Sequence, residues 1–574
     1  MLKLWKNLKP YTWLIIISII IIAVKSIADL LIPDLLKEVV KLIPTMPNIA
    51  PPIKDMIIKG GIALLAVLGV VIAEILISYL SSKIAFSFGR DLRKKMFEKV
   101  QNLSEVDFEK FGVSSLITRT LNDVKQLEQV TMMIIRMMFS APIMLIGGSI
   151  MAFRLDVSTT FVIIGTLPIL VLFIAFIGVK IIPLFKKMQL GLDALTLTTK
   201  ENITGVRVIR AFNNESIEQQ KFDAKNKAVT KFGEKANHYM AFTFPTVSFI
   251  FSIVTLLIIW FGATGAADFA NINAIVQYSM RIMMSFLMLV MMFIFIPRGS
   301  ASANRINEVL EISLKLKEVE KSKKTKKENV GILEFKNVTF QFEDAEEPTL
   351  NNISFKVKLG ETFAIVGGTG SGKSTILNLL PRFYDVNSGS ILIDGVNIKE
   401  YTLKDLRNKI AVVPQRATIF NRTIFENIAY SNENATEEEV IEASKIAQAY
   451  DFIQEKGGLN VVLEKNGANL SGGQKQRISI ARALVKKPEI YLFDDSFSAL
   501  DLKTDSNLRK ALKPYLKNAI TLIVAQRIST IQNADKILVL EDGNMVGLGT
   551  HKTLLETCPT YIEIYNSQTK KGVN

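Results

Sequence analysis

The chain has 574 residues, too many for one domain and enough for roughly two to four. Hydrophobic residues make up 49% and mean hydropathy is +0.28, which argues against a wholly soluble protein. A formal charge of +15 suits either a nucleic-acid surface or the cytoplasmic loops of a membrane protein, and the long apolar runs favour the second. One cysteine, Cys558, excludes an internal disulfide framework and fits a reducing compartment. His238 and His551 show no metal-ligand spacing.

Residues 1–10 set Leu2, Leu4, Trp5 and Leu8 among Lys3, Lys6 and Lys9, a pattern for a short amphipathic segment at a membrane surface. The apolar run that follows is too long for a signal peptide, and no small-residue cleavage site ends it. It predicts a first membrane helix over residues 11–32. About 20 apolar residues cross a bilayer, and that ruler places five more spans at 61–80, 130–152, 159–182, 241–262 and 275–296. Lysine and arginine are dense between spans two and three (Arg90, Arg93, Lys94, Lys95, Lys99) and after span four (Lys186, Lys187, Lys200, Arg207, Arg210). Arg298 and Arg305 follow span six, whereas the stretches 46–59, 153–158 and 265–273 are poor in both. The positive-inside rule then puts both termini in the cytoplasm.

The two long basic stretches contain few breakers and read as charged helices that run on from the membrane into water. Contact elements are expected at their tips, at residues 113–117 and 212–219. Ionisable residues inside spans are costly and point to function by default. Lys25 and Asp29 stand at i,i+4 and can pair; Glu74, Arg136 and Arg281 are the others. Methionines crowd spans three (Met132, Met133, Met137, Met138) and six (Met280, Met284, Met288, Met291, Met292), suited either to helix packing and lipid contact or to a promiscuous cavity.

Residues 314–330 carry Lys315, Glu318, Glu320, Lys321, Lys323, Lys324, Lys326 and Lys327, a charged linker. The expected organisation is a membrane domain over 1–313, the linker, and an α/β domain over 331–574. Within that second domain, Thr362-Phe363-Ala364-Ile365-Val366 predicts a strand and Thr375-Ile376-Leu377 opens a helix. Between them lies the loop Gly367, Gly368, Thr369, Gly370, Ser371, Gly372, Lys373, Ser374 and Thr375, which fits G-x-x-x-x-G-K-[ST]. Glycines let the backbone approach phosphate oxygens, and the helix N-terminus adds positive dipole. In this pattern Lys373 reaches the outer phosphates of ATP and Ser374 holds Mg²⁺.

Further on, Leu470, Ser471, Gly472, Gly473 and Gln474 spell LSGGQ, and Ile490-Tyr491-Leu492-Phe493-Asp494 is a second carboxylate-ended strand. Together with the phosphate loop these resemble the ATP-binding cassette (ABC) proteins. The resemblance assigns Phe342 to adenine stacking, Gln415 to the Q-loop and Asp501 to the D-loop, with Ser374, Gln415 and Asp494 as the Mg²⁺ set. It covers the whole second domain, and six spans with Asn202-Ile203-Thr204-Gly205 to Phe212 extend it to an exporter half. The implied fold class is six transmembrane helices with long cytoplasmic extensions, fused to an α/β P-loop nucleotide-binding domain. The resemblance also implies a head-to-tail dimer, in which the signature Ser471, Gly472, Gly473 and Gln474 caps the partner's nucleotide.

Two positions depart from the family pattern. The glutamate that polarises the attacking water is Asp495 here, withdrawn by roughly one 1.5 Å bond. The switch histidine is Gln526, which donates a hydrogen bond but cannot become a cation. The chain thus resembles the degenerate-site half of bacterial heterodimeric multidrug exporters. That resemblance implies a second half-transporter, membrane lipid and a small apolar or amphipathic substrate as partners, a bacterial plasma-membrane location, and no nucleic acid. The alternatives are a homodimeric exporter of lipid or peptide and a non-transporting ATP-binding regulatory subunit. Since no peptidase domain precedes the spans, a dedicated peptide processor is disfavoured.

Overall fold

In lipid, an apolar run must satisfy its own backbone, and the helix does so within one segment. A computed structural model describes residues 1–43, 52–264, 268–312, 316, 318–323, 325 and 330–569. Six long apolar helices span Thr12–Val40, Ile53–Gln101, Val124–Leu155, Val157–Thr204, Glu215–Thr264 and Phe269–Leu310. The second has 49 residues and so extends about 74 Å, more than twice a hydrocarbon core of ~30 Å. The helices therefore overrun the predicted spans at one or both ends, as the charged stretches between them require. Parts of the basic-poor stretches, residues 44–51 and 265–267, lie outside the described residues.

The chain divides into two units: Met1–Gln101 with Gly112–Ile312, and Asn102–Phe111 with Ser313–Asn574. In the first unit, helix one packs on helix two, three on six, and four on five. The amphipathic start forms a short helix, Leu2–Trp5, then a 3-10 turn, Lys6–Tyr11. Polar bonds fasten it: Lys3 to Glu311 at 2.8 Å and Lys95 to the Asn7 amide oxygen at 2.6 Å. The Tyr11 hydroxyl donates to Asp91 at 2.5 Å. Farther along, Asp123 accepts from Ser302 Oγ at 2.9 Å and from Arg305 Nε at 2.8 Å, joining helix six to the turn before helix three. Gly89, inside helix two, makes room for Glu128 of helix three. A Cβ there would lie 1.7 Å from Glu128 Oε1, whose carboxylate pairs with Arg93 at 2.6 Å.

The second unit holds two sheets. An antiparallel sheet runs β2 (Leu350–Lys358), β1 (Ile332–Phe340), β4 (Ser388–Ile393), β5 (Val396–Asn397). The other runs β10 (Asn544–Gly549), β9 (Lys536–Glu541), β3 (Thr362–Gly367), β8 (Ile520–Val524), β7 (Ile490–Asp494), β6 (Ile410–Val413), parallel except at β10. Side chains alternate across β3: Phe363 and Ile365 join the core shared with the antiparallel sheet, while Ala364 and Val366 join the helix-side core. A strand buried on both faces needs a continuous apolar run, which is what Phe363 to Val366 supplies.

The charged linker belongs to this unit where it is described. Lys323 pairs with Glu400 at 3.0 Å, Ser322 bonds to Asp405, and Glu318 accepts from the Leu403 amide at 3.0 Å. Lys315, Lys324, Lys326 and Lys327 lie outside the described residues.

Candidate nucleotide site

Parallel strands collect their C-terminal ends along one edge, where ligands of open α/β sheets bind. Here that edge joins the ends of β3, β8 and β7: Val524 pairs with Ile365 on one side and Asp494 on the other. The phosphate loop leaves β3 and turns at Gly370 (φ 86°) and Gly372 (φ 91°) into the helix Lys373–Leu379. A Cβ on Gly372 would strike Thr349 O and Leu350, both at 2.7 Å, so this turn demands glycine. A Cβ on Gly368 or Gly370 would meet nothing within 4 Å, which leaves backbone open to a phosphate.

Lys373 Nζ donates to the Gly367 carbonyl at 3.1 Å, and burial pushes its pKa below the usual lysine range against the pull of Asp494 and Asp495. Ser374 Oγ donates to Asp494 Oδ1 at 2.9 Å. Burial raises the Asp494 carboxyl, with that hydroxyl and Lys373 opposing. A hydroxyl and a carboxylate in contact are the oxygen pair a hard divalent cation takes, so these residues fit Mg²⁺. Gln415 Nε2 stands 3.5 Å from Asp495 Oδ2, beside Asp494 in the chain and long for a hydrogen bond.

Asp495 is buried and held in the left-handed region at φ 44°. Its amide donates to Val524 O at 2.9 Å, and its carbonyl accepts from Ser498 Oγ at 2.8 Å. The backbone is clamped on both sides, so side-chain length alone decides how far the carboxylate reaches. Gln526 follows β8 at the same edge with its side chain exposed. Its carbonyl accepts from Gln568 Nε2 at 2.7 Å, and Gln568 Oε1 accepts from the Ile528 amide at 2.8 Å. Gln568, on the helix Pro559–Thr569, thus braces the Gln526 turn. No local motif marks it.

The LSGGQ stretch lies at a helix start. Ser471 caps the helix Gly472–Lys486 by accepting from the Gln474 amide at 3.3 Å, while Gln474 Oε1 accepts from the Ser471 amide at 2.9 Å. Leu470 is buried and anchors the turn; Ser471 and Gly472 are exposed. Asp501 caps the helix Leu502–Leu516, and the amide and hydroxyl of Thr504 hold its carboxyl below the usual range. Phe342 is half-buried, edge-on to Phe340 at 4.8 Å and Tyr384 at 5.4 Å.

One expected contact element moves. The element in the second unit is the helix Glu105–Phe111, not residues 113–117, where Val113 and Ile117 stay exposed in the first unit. Val106 packs against the core that the two sheets share. Burial, then Glu109 and Glu105, pushes the Tyr384 hydroxyl up to about 12. Ser-Glu-Val-Asp at residues 104–107 is the missed signal: Ser104 Oγ donates to the Asp107 carboxylate at 2.6 Å and accepts from its amide at 3.3 Å. Gly112, at φ 72°, ends the element. At the other tip the chain reverses after the helix Val206–Ala211, with Val208 and Phe212 exposed.

Residues 15–296 match the ABC transporter transmembrane region and residues 350–498 match the ABC transporter family. An uncharacterized ABC transporter ATP-binding protein of Mycobacterium tuberculosis is 36% identical over 98% of this chain and 97% of its own length. A Bacillus subtilis protein provisionally named as a multidrug export ATP-binding/permease protein is 33% identical over 98% of each. The ATP-dependent lipid A-core flippase of Haemophilus influenzae is 32% identical over 99% of this chain and 96% of its own length. Among solved structures, a bacterial Atm1-family ABC exporter with ATP bound superposes with a TM-score of 0.81 at 25% identity, covering 97% of this chain and 98% of that one.

Proposed function

The chain belongs to the ABC transporter family, as an ATP-driven exporter with its membrane and nucleotide domains on one polypeptide, and on that premise we propose that it is the slow-hydrolysing half of a heterodimer. ABC exporters work as dimers. In this reading the partner is a different half-transporter with a competent carboxylate and histidine. The present chain binds ATP on its own phosphate loop, and its Ser471, Gly472 and Gly473 complete the partner's site. The exported molecule is small and apolar or amphipathic. The nucleotide domain and both termini lie in the cytoplasm.

The observation that carries this reading is Asp495. Its backbone is pinned between Val524 and Ser498, so nothing restores the missing methylene. Misplacing a reacting group by an ångström or so costs about 10²-fold in rate. Bound Mg²⁺ would supply charge neutralisation at the phosphates. Lys373 would contribute a cation beside them, and Ser374 and Asp494 would hold the metal. Gln526 donates a hydrogen bond where an imidazole would also carry charge. The helix Glu105–Phe111 then passes nucleotide-domain closure to the membrane helices on either side of it.

Purifying the full chain alone and with a candidate partner tests the reading. The chain alone should bind ATP and turn it over slowly, and the pair should be fast. Brisk turnover by a homodimer, abolished by Lys373→Ala, would overturn the heterodimer.

A further inference from the structure

Five ionisable side chains that the sequence scatters over four membrane helices meet in one network. Lys25 Nζ lies 3.3 Å from Asp29 and 3.2 Å from Glu74. Arg136 pairs with Glu74 at 2.9 Å, and Arg281 with Asp29 at 2.9 Å. All five sit within the apolar spans expected to cross the bilayer. Three cations share two carboxylates, which leaves one positive charge in excess. Among the described residues no other carboxylate pairs with Lys25, Arg136 or Arg281.

A surplus cation at membrane depth is stable only against a water-filled cavity or an anion. The network is also open: the Glu74 side chain is 46% exposed on this chain and Arg136 35%. A pair presented to lipid would forfeit its hydration, so this surface suits a water-filled cavity better than lipid. Beside it runs an apolar lining. Met280, Met284, Met288 and Met291 are exposed on the sixth helix, and helical geometry puts all four within about 100° of Arg281, on one side of it. Methionine adapts to varied apolar shapes.

We infer that the network of Lys25, Arg136 and Arg281 anchors an oxyanion of the exported molecule, a carboxylate or phosphate, while the methionine face receives its apolar body. The inference rests on the export reading and narrows it to anionic amphiphiles. A hydrogen-bonded charge contact of this kind separates matched ligands by roughly ten- to a hundredfold.

The test uses the full chain, in its assembled state, in nanodiscs of zwitterionic lipid. The probes are a fluorescent acyl carboxylate and its neutral amide. The carboxylate should bind at least about tenfold tighter than the amide. Arg136→Gln or Lys25→Met should erase that preference without weakening the amide. Arg136→Lys should keep it, and Glu74→Gln, which raises the excess charge, should widen it. Competition by anionic phospholipid would identify a lipid headgroup as the anion source, and its absence a soluble amphiphile. Equal binding of the two probes to the wild type, or a preference untouched by both neutralising variants, would overturn the inference and assign the cluster to helix pairing. ATP-driven uptake into inverted vesicles separates the two readings. Equal pumping of both probes sinks the anion site alone. Tight carboxylate binding with no pumping of either probe sinks export and leaves the site standing.

Discussion

The edge formed by β3, β8 and β7 and the start of the helix Gly472–Lys486 hold the two halves of this family's chemistry, and they are kept to different standards. At the first, the phosphate loop and the Ser374–Asp494 pair are complete, yet the next carboxylate is short and Gln526 is uncharged. At the second, nothing is missing: Ser471 and Gln474 close a reciprocal cap and Gly472 lies open. The two edges are built from separate stretches of chain. The hydrogen bonds of the one share no residue with those of the other, which is what the proposed division of labour between two half-transporters requires.

Four experiments put this contrast at risk. The largest effect is expected at the intact edge. Ser471→Arg should lower ATPase of the assembled dimer by about 10²- to 10³-fold, the scale of losing a phosphate-facing donor. Nucleotide binding to this chain's own loop, read by photoaffinity labelling, should not change. Next comes repair of the weak edge. Asp495→Glu with Gln526→His should raise hydrolysis at this site by up to about 10²-fold, measured with the partner's site silenced. No gain would sink the account of Asp495.

A smaller effect is expected from Gln568→Ala, which frees the Gln526 carbonyl and the Ile528 amide. At about 1 kcal/mol per bond, the repaired site should lose several-fold in turnover while Mg²⁺ affinity holds. The smallest concerns metal. Burial raises the Asp494 pKa, so its ionised form is disfavoured in the folded domain. Its contribution to stability is therefore largest at acid pH and declines as pH rises through its folded value. Mg²⁺ with nucleotide offsets that penalty at neutral pH and should raise the melting temperature of the wild type. In Asp494→Asn the resting protein should melt slightly higher and gain less from the metal.

Much of this was legible in the chain itself because it is local. A phosphate loop, a signature and a capping serine are contiguous residues whose spacing carries the geometry, and an apolar run reports a span by its length. What escaped depends on partners far apart in sequence. Lys25 and Asp29 pair as their i,i+4 spacing predicts, but Glu74, Arg136 and Arg281 meet them only through helix packing. Gln568 braces Gln526 across 42 positions. The contact helix lies earlier in the chain than residues 113–117, because the cap at Ser104 fixes the start of Glu105–Phe111.

Gly89 carries a consequence of another kind. With Glu128 Oε1 filling the space a side chain would take, even alanine there must evict a buried carboxylate and strip Arg93 of its mate. A mutational scan of the gene should therefore show a gap at this codon as deep as any in the phosphate loop. The deficit would register in how much protein accumulates, and not in how fast each surviving molecule works.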